Sequence, residues 1–258
     1  MTLSSARRLA RKVAAGYHVI LGQNLVGFYL HGSMTLGGFN DGSDIDFLVV
    51  TNAEPPQDQK ERMIRLLLDL DGQAPEKGFE MSAVTLNDTR NPVYPPPFSL
   101  HFSNTHKDRA AADIAGYCRD MNGRDPDLAA HFTVARLFGE ALIGPPPKEV
   151  FAPVPRRYYI AAVISDISGA PEDIIKNPVY VVLNLCRVTA ACEQDLVLSK
   201  KDGGRWGLVN FPDKYRPLIQ DALDSYMNGI RYISSRISEA ARRDFAEYSI
   251  KRLGPYIT

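Results

Sequence analysis

Two aspartates one residue apart, Asp44-Ile45-Asp46, open an apolar run from Phe47 to Val50. In a strand their side chains share one face, because successive residues alternate. Two carboxylates held that close repel unless a cation sits between them or one is protonated. Hard oxygen ligands on a rigid element suit Mg²⁺, which takes one or two carboxylates plus substrate phosphates. A third carboxylate, Glu80, falls on a later strand-like run, Phe79 to Leu86. It shares a face with Ser82 and Val84, opposite Phe79, Met81 and Ala83. It can complete a metal site or act as base on an attacking hydroxyl. Upstream, Gly32-Ser33 ends the run Phe28-Tyr29-Leu30, ten residues before Asp44. A small residue there lets a phosphate approach the backbone, while N–H groups and a hydroxyl donate to it. Ser43 offers a second hydroxyl. Asp-x-Asp alone is common at solvated strand ends, and Gly-Ser is a common tight turn. The whole combination points instead to metal-assisted chemistry on a triphosphate.

The elements that must hold these residues follow from periodicity. Residues 4–22 place Leu9, Val13, Tyr17 and Ile20 at helical spacing, with basic residues opposite. Strands are expected at 25–31, 44–51 and 79–86, with a short helix or turn at 34–38 and a helix at 57–71. Pro92, Pro95, Pro96 and Pro97 make 87–103 irregular, with a last edge strand at 98–102. Helices follow at 106–120 and 126–142, the second capped by Asp125 with Pro126 at its first position. Gly144-Pro145-Pro146-Pro147 and Phe151-Ala152-Pro153-Val154-Pro155 mark a domain boundary, giving domains 1–150 and 151–258. Strand signals vanish from 156 onward. Helices are expected at 156–168, 177–193, 212–234 and 236–253, with a polar loop at 199–206. The layout is an α/β half followed by an all-helical half.

Bulk properties narrow the partners. The net charge is zero and the pI about 7, so a broad basic surface for nucleic acid is not expected. Arg7, Arg8, Arg11 and Lys12 interrupt any apolar leader, and no run approaches the ~18 apolar residues of a spanning helix. The expectation is a soluble cytoplasmic protein, acting as a monomer without nucleic acid or membrane. Cys118, Cys186 and Cys192 read as buried reduced thiols. His31 reads as strand-end packing, and neither His101 nor His106 as a metal ligand.

Gly32-Ser33, ten residues, then Asp44-Ile45-Asp46 resembles the signature of the nucleotidyltransferase superfamily that shares a fold with DNA polymerase β. The likeness covers nearly the whole chain. Residues 128–136, 142–145, 151–155, 177–187, 199–206 and 215–219 resemble the aminoglycoside adenylyltransferases that modify streptomycin and spectinomycin. The resemblance implies an α+β fold, with an N-terminal polymerase β-like domain of mixed sheet and helices. A C-terminal all-α helical bundle would follow, closing an ATP and antibiotic cleft. It implies Mg²⁺ on Asp44, Asp46 and Glu80, with Glu80 also the catalytic base. Gly32, Ser33, Ser43, Arg187, Lys200 and Tyr226 would bind the nucleotide. Lys200 is preferred over Lys201 because it keeps the family's spacing to Trp206.

One departure bears on the acceptor. Family members that act on streptomycin carry a tryptophan where this chain has Thr105, and an aspartate where it has Asn177. Loss of an aromatic face and a carboxylate weakens recognition of a guanidinium sugar. Thr105 and Asn177 are thus the candidate substrate contacts, and spectinomycin is favoured over streptomycin. The implied reaction transfers AMP from ATP to a hydroxyl of the antibiotic and releases pyrophosphate. The alternatives are adenylyl transfer to a protein or another hydroxyl acceptor by the same core, and, more remotely, a non-catalytic nucleotide-binding module.

Overall fold

The computed structural model describes residues 1–257, which form two compact units, Met1–Tyr158 and the part that begins at Tyr159. Among them no helix is long and apolar enough to cross a membrane. The three cysteines are buried and none is in a disulfide.

The first unit is built on one mixed sheet. Its elements are α1 (Leu3–Leu21), β1 (Leu25–Leu30), β2 (Ile45–Thr51), α2 (Gln57–Leu70), β3 (Phe79–Thr85) and α3 (Leu86–Arg90). Then come β4 (Pro97–Phe98), β5 (Leu100–Phe102), α4 (Lys107–Ala112), α5 (Ile114–Asp120), β6 (Gly123–Arg124), α6 (Leu128–Phe138), β7 (Glu140–Ile143) and α7 (Pro147–Val150). The large sheet has the order β5-β3-β2-β1-β7. β2 and β3 are parallel; β1 is antiparallel to both β2 and β7, and β5 to β3. A parallel pair needs a crossover, and the amphipathic α2 supplies it.

Every residue of β2 is buried, so both faces of the sheet are covered. Phe28, Phe47 and Val49 join α1 and α2 in one core. Tyr29, Leu48, Val50 and Val84 face the other way, onto Leu128, Phe132 and Phe151. This alternation is the period of two expected of strands. Phe28 and Phe47 stack at 4.5 Å between ring centroids, which locks β1 against β2 beside the site.

The helix expected at 126–142 is shorter than its pattern suggests. α6 starts at Leu128 and stops at Phe138, where Gly139 turns extended (ψ 153°); the turn is so tight that a Cβ there would lie 2.3 Å from the Ala135 carbonyl oxygen, so only glycine fits it. The chain then becomes β7, with Leu30 opposite Glu140. Asp127 occupies the cap position rather than Asp125, whose carboxylate accepts from the Asp127 N–H at 2.9 Å. The 106–120 pattern is broken at Asp113, which caps α5 by accepting from Gly116 N–H at 2.9 Å. Thr85 and Asp88 form a capping box that makes α3 helical in a stretch read as irregular.

α8 (Arg156–Ser165) leads into the second unit. This holds α9 (Ala170–Lys176), α10 (Pro178–Gln194), α11 (Lys200–Asn210), α12 (Arg216–Met227) and α13 (Glu239–Leu253) around one apolar core. The polar stretch 199–206 is not a loop. Ser199 caps α11 by accepting from the Asp202 N–H at 3.0 Å, and its glycines serve packing. α12 ends well short of residue 234, at Asn228-Gly229, where Gly229 has φ +69°.

Candidate active site

The antiparallel register of β1 and β2 assembles the corner. Leu30 pairs with Phe47, and the His31 N–H donates to the Asp46 carbonyl at 3.1 Å. Gly32 and Ser33 therefore emerge beside Asp46, although ten residues separate Ser33 from Asp44 along the chain. Gly32 has φ +63°, and a Cβ there would lie 2.0 Å from Asp46 Oδ2. Only glycine lets the backbone turn this close to the carboxylate. On the other side, the parallel register of β2 and β3 sets Asp46 beside Glu80. Asp44 lies just ahead of β2.

One carboxylate oxygen from each of Asp44, Asp46 and Glu80 lies within 4.8 Å of the other two. Burial pushes the Glu80 carboxyl up from its ordinary value; His131 opposes this, while Asp44, Asp127 and Asp125 push it further up. Three acidic groups gathered in a half-buried corner repel one another, and a divalent cation relieves that repulsion. Ser33 Oγ is buried with no hydrogen-bond partner. An orphaned hydroxyl on the residue after Gly32, which itself abuts Asp46, fits a site made to receive phosphate oxygens. Ser43 is buried, and its Oγ accepts from the Asn40 N–H at 3.0 Å, closing the turn that leads into Asp44.

His131, a residue given no role by the sequence reading, approaches this corner from α6. Its Nε2 is 4.0 Å from Glu80 Oε1, and its ring lies 4.9 Å from that of buried His31. No local spacing joins His131 to Glu80; the contact exists only because α6 covers that face of the sheet. His101, on β5, meets Ser82 Oγ at 3.0 Å through Nδ1. Burial drives its pKa down to about 4. Thr105 is exposed, and its Oγ1 lies 2.7 Å from Ser103 Oγ.

The other residues singled out in the sequence lie in the second unit. Arg187 on α10 contacts Asp166 Oδ2 at 3.4 Å and donates through Nε to Asn184. Lys200, at the start of α11, sits 4.7 Å above the Tyr180 ring. Tyr226 is half-buried on α12 against the core. Asn177 is exposed ahead of α10, in a cavity of about 280 Å³ lined also by Asp166, Asp173, Tyr180 and Asn184.

Two family models match the chain in succession. Residues 20–92 match the nucleotidyltransferase domain, and residues 149–252 the C-terminal domain of aminoglycoside adenylyltransferases. An aminoglycoside (3'') (9) adenylyltransferase of Klebsiella pneumoniae is 26% identical over 230 residues, covering 87% of this chain and 86% of that protein. A spectinomycin 9-adenylyltransferase of Campylobacter jejuni is 22% identical over 233 residues, covering 89% of each. The crystal structure of spectinomycin adenyltransferase AAD(9) from Enterococcus faecialis, with ATP and spectinomycin, shares the fold. Its TM-score is 0.80 at 19% identity, over 96% of this chain and 99% of that one. The chain is an enzyme of the nucleotidyltransferase type that joins a nucleotidyltransferase domain to the C-terminal domain of aminoglycoside adenylyltransferases, and it is similar to those enzymes over most of its length.

Proposed function

We propose that this enzyme transfers AMP from ATP to a hydroxyl of an aminoglycoside-type antibiotic, with spectinomycin the favoured acceptor, and releases pyrophosphate. The observation that carries the reading is the convergence of Asp44, Asp46 and Glu80 beside Gly32 and the orphaned Ser33 hydroxyl. Asp44, Asp46 and Glu80 would hold Mg²⁺. When bound, the ion neutralises triphosphate charge and acidifies a coordinated hydroxyl. Ser33 and Ser43 donate to phosphate oxygens, and Gly32 keeps the backbone clear for them. Glu80 takes the proton of the acceptor hydroxyl. The acceptor oxygen bonds to the α-phosphorus as the bond to pyrophosphate breaks.

Residues 1–150 form the nucleotidyltransferase domain in this reading, and residues 151–258 the helical domain. The latter supplies Arg187, Lys200 and Tyr226 to the nucleotide. Thr105 and Asn177 contact the acceptor, and their lack of an aromatic face and a carboxylate favours spectinomycin over streptomycin.

The test is incubation with ATP labelled at the α-phosphate, Mg²⁺, and spectinomycin, streptomycin or cell lysate. The reading expects label on spectinomycin and at most slow labelling of streptomycin. Label on lysate protein alone would replace the antibiotic with a protein acceptor. The double substitution Thr105→Trp with Asn177→Asp should raise streptomycin transfer relative to spectinomycin.

A further inference from the structure

Asn184 is wholly buried in the apolar run of α10. A buried amide is tolerated only when its hydrogen bonds are made, so its presence there asks for a reason. Its Nδ2 donates to Asp166 Oδ2 at 2.6 Å, and its Oδ1 accepts from Arg187 Nε. Asp166 also accepts from the Tyr180 hydroxyl at 2.9 Å and lies 3.4 Å from Arg187 Nη2. An ionised carboxylate only accepts, so Asp166 must face the NH₂ side of the amide. The amide oxygen is thereby turned towards Arg187. The guanidinium is held at two points, by Asn184 and by Asp166.

The same carboxylate reaches the second cation. Tyr180 gives its hydroxyl to Asp166, and its ring lies beneath Lys200 Nζ at 4.7 Å. α11 packs flush against α10 to bring Lys200 there. A Cβ at Gly203 would lie 2.8 Å from Arg187 Cβ, one at Gly204 2.7 Å from Leu183 Cδ2, and one at Gly207 2.5 Å from Cys186 Sγ. The helix that starts with Lys200 thus lies against the helix that carries Arg187.

We infer that Asn184, oriented by Asp166, is a positioning residue for nucleotide binding. It presets Arg187, while Tyr180 on the same carboxylate seats Lys200, so that two cations stand ready for a triphosphate. The inference rests on reading Arg187 and Lys200 as nucleotide ligands. Asn184 rather than Asp166 is the residue to test. Removing Asp166 would also change the charge beside both cations and so pull ATP affinity in the opposite direction; Asn184 is neutral, and its loss removes positioning alone.

Asn184→Leu keeps the branching at Cγ and the number of heavy atoms and removes both hydrogen bonds. In the full chain with Mg²⁺, the dissociation constant for ATP should rise about three- to tenfold, the size of one arginine left to be ordered on binding. Binding of adenosine, which has no phosphates, should not change, whereas general damage to the fold would weaken both ligands. Arg187→Ala should weaken ATP more, and adding Asn184→Leu to it should cost nothing further, because the positioned group is already gone. Wild-type ATP affinity in Asn184→Leu, alongside weakened ATP in Arg187→Ala, would overturn the positioning role and leave Arg187 a nucleotide ligand. Unchanged ATP affinity in Arg187→Ala would overturn the nucleotide reading itself, and the inference with it. Should Asn184→Leu not fold, Asn184→Ala carries the same comparison.

Discussion

The acidic corner and the basic array are held in place by different means. The corner of the first unit is set by backbone. Strand register brings Ser33, Asp46 and Glu80 together, and Gly32 allows the approach. The array of the second unit is set by side chains. Arg187 and Lys200 owe their places to Asp166, Tyr180, Asn184 and a glycine-lined contact between two helices. A site built on register tolerates little change in backbone geometry. A site built on side-chain hydrogen bonds can lose a member and keep its fold.

The sharpest contrast is Asp46→Asn. It should cut AMP transfer on the order of 10³-fold, because it removes a charge that would hold the metal and phosphates. It should not lower the unfolding temperature, since it relieves repulsion among three neighbouring carboxylates. A marked loss of stability would mean that Asp46 is chiefly structural. Gly32→Ala comes next. Its Cβ must displace the Asp46 carboxylate from a left-handed backbone position, costing about 1–3 kcal/mol of stability together with activity. An unchanged variant would show that the corner does not depend on that approach.

In the second unit, Gly203→Ala presses α11 away from Arg187 and should cost about 1–3 kcal/mol of stability. ATP affinity should fall several-fold while adenosine binding persists. Equal loss for both ligands would break the distinction between positioning and folding.

Acid should separate the two units as well. All five histidines lie within the first 131 residues. Burial lowers the pKa of His31 well below its ordinary value and that of His101 to about 4. A depressed folded-state pKa means that the unfolded chain binds the proton first. The stability these histidines permit is therefore complete above about pH 6.5 and lost as pH falls towards 4, by up to about 1.4 kcal/mol per pH unit for each. Glu80, raised by burial, acts in the opposite sense and offsets part of the loss. Amide exchange protection, corrected for intrinsic rates, should fall in β1 and β2 between pH 7 and pH 5 while holding in α10. His101→Gln should flatten that dependence.

The same difference in construction explains what the sequence disclosed. Asp44, Asp46, Glu80 and Gly32-Ser33 could be read because strand period and a short connection convert spacing directly into proximity. His131 could not: its approach to Glu80 depends on where α6 crosses the sheet, which no local pattern encodes. Asn184 was hidden for a related reason, since its partner Asp166 lies eighteen residues away on the chain. The glycines of α11 misled because each lowers helix propensity by about 1 kcal/mol, while their use in close packing emerges only with α10 in place. Gly139 and Asn228-Gly229, by contrast, were legible stop signals that the apolar periodicity overran.

The central claim is that Glu80 accepts a proton in a corner that binds ATP through its neighbours. Glu80→Gln tests it most directly, with ATP binding and single-turnover AMP transfer to spectinomycin measured on the same preparation. The account predicts a folded protein that binds ATP within a few-fold of wild type and transfers AMP on the order of 10²–10⁴-fold more slowly. Transfer at a near-normal rate would contradict it and remove Glu80 from the role of base.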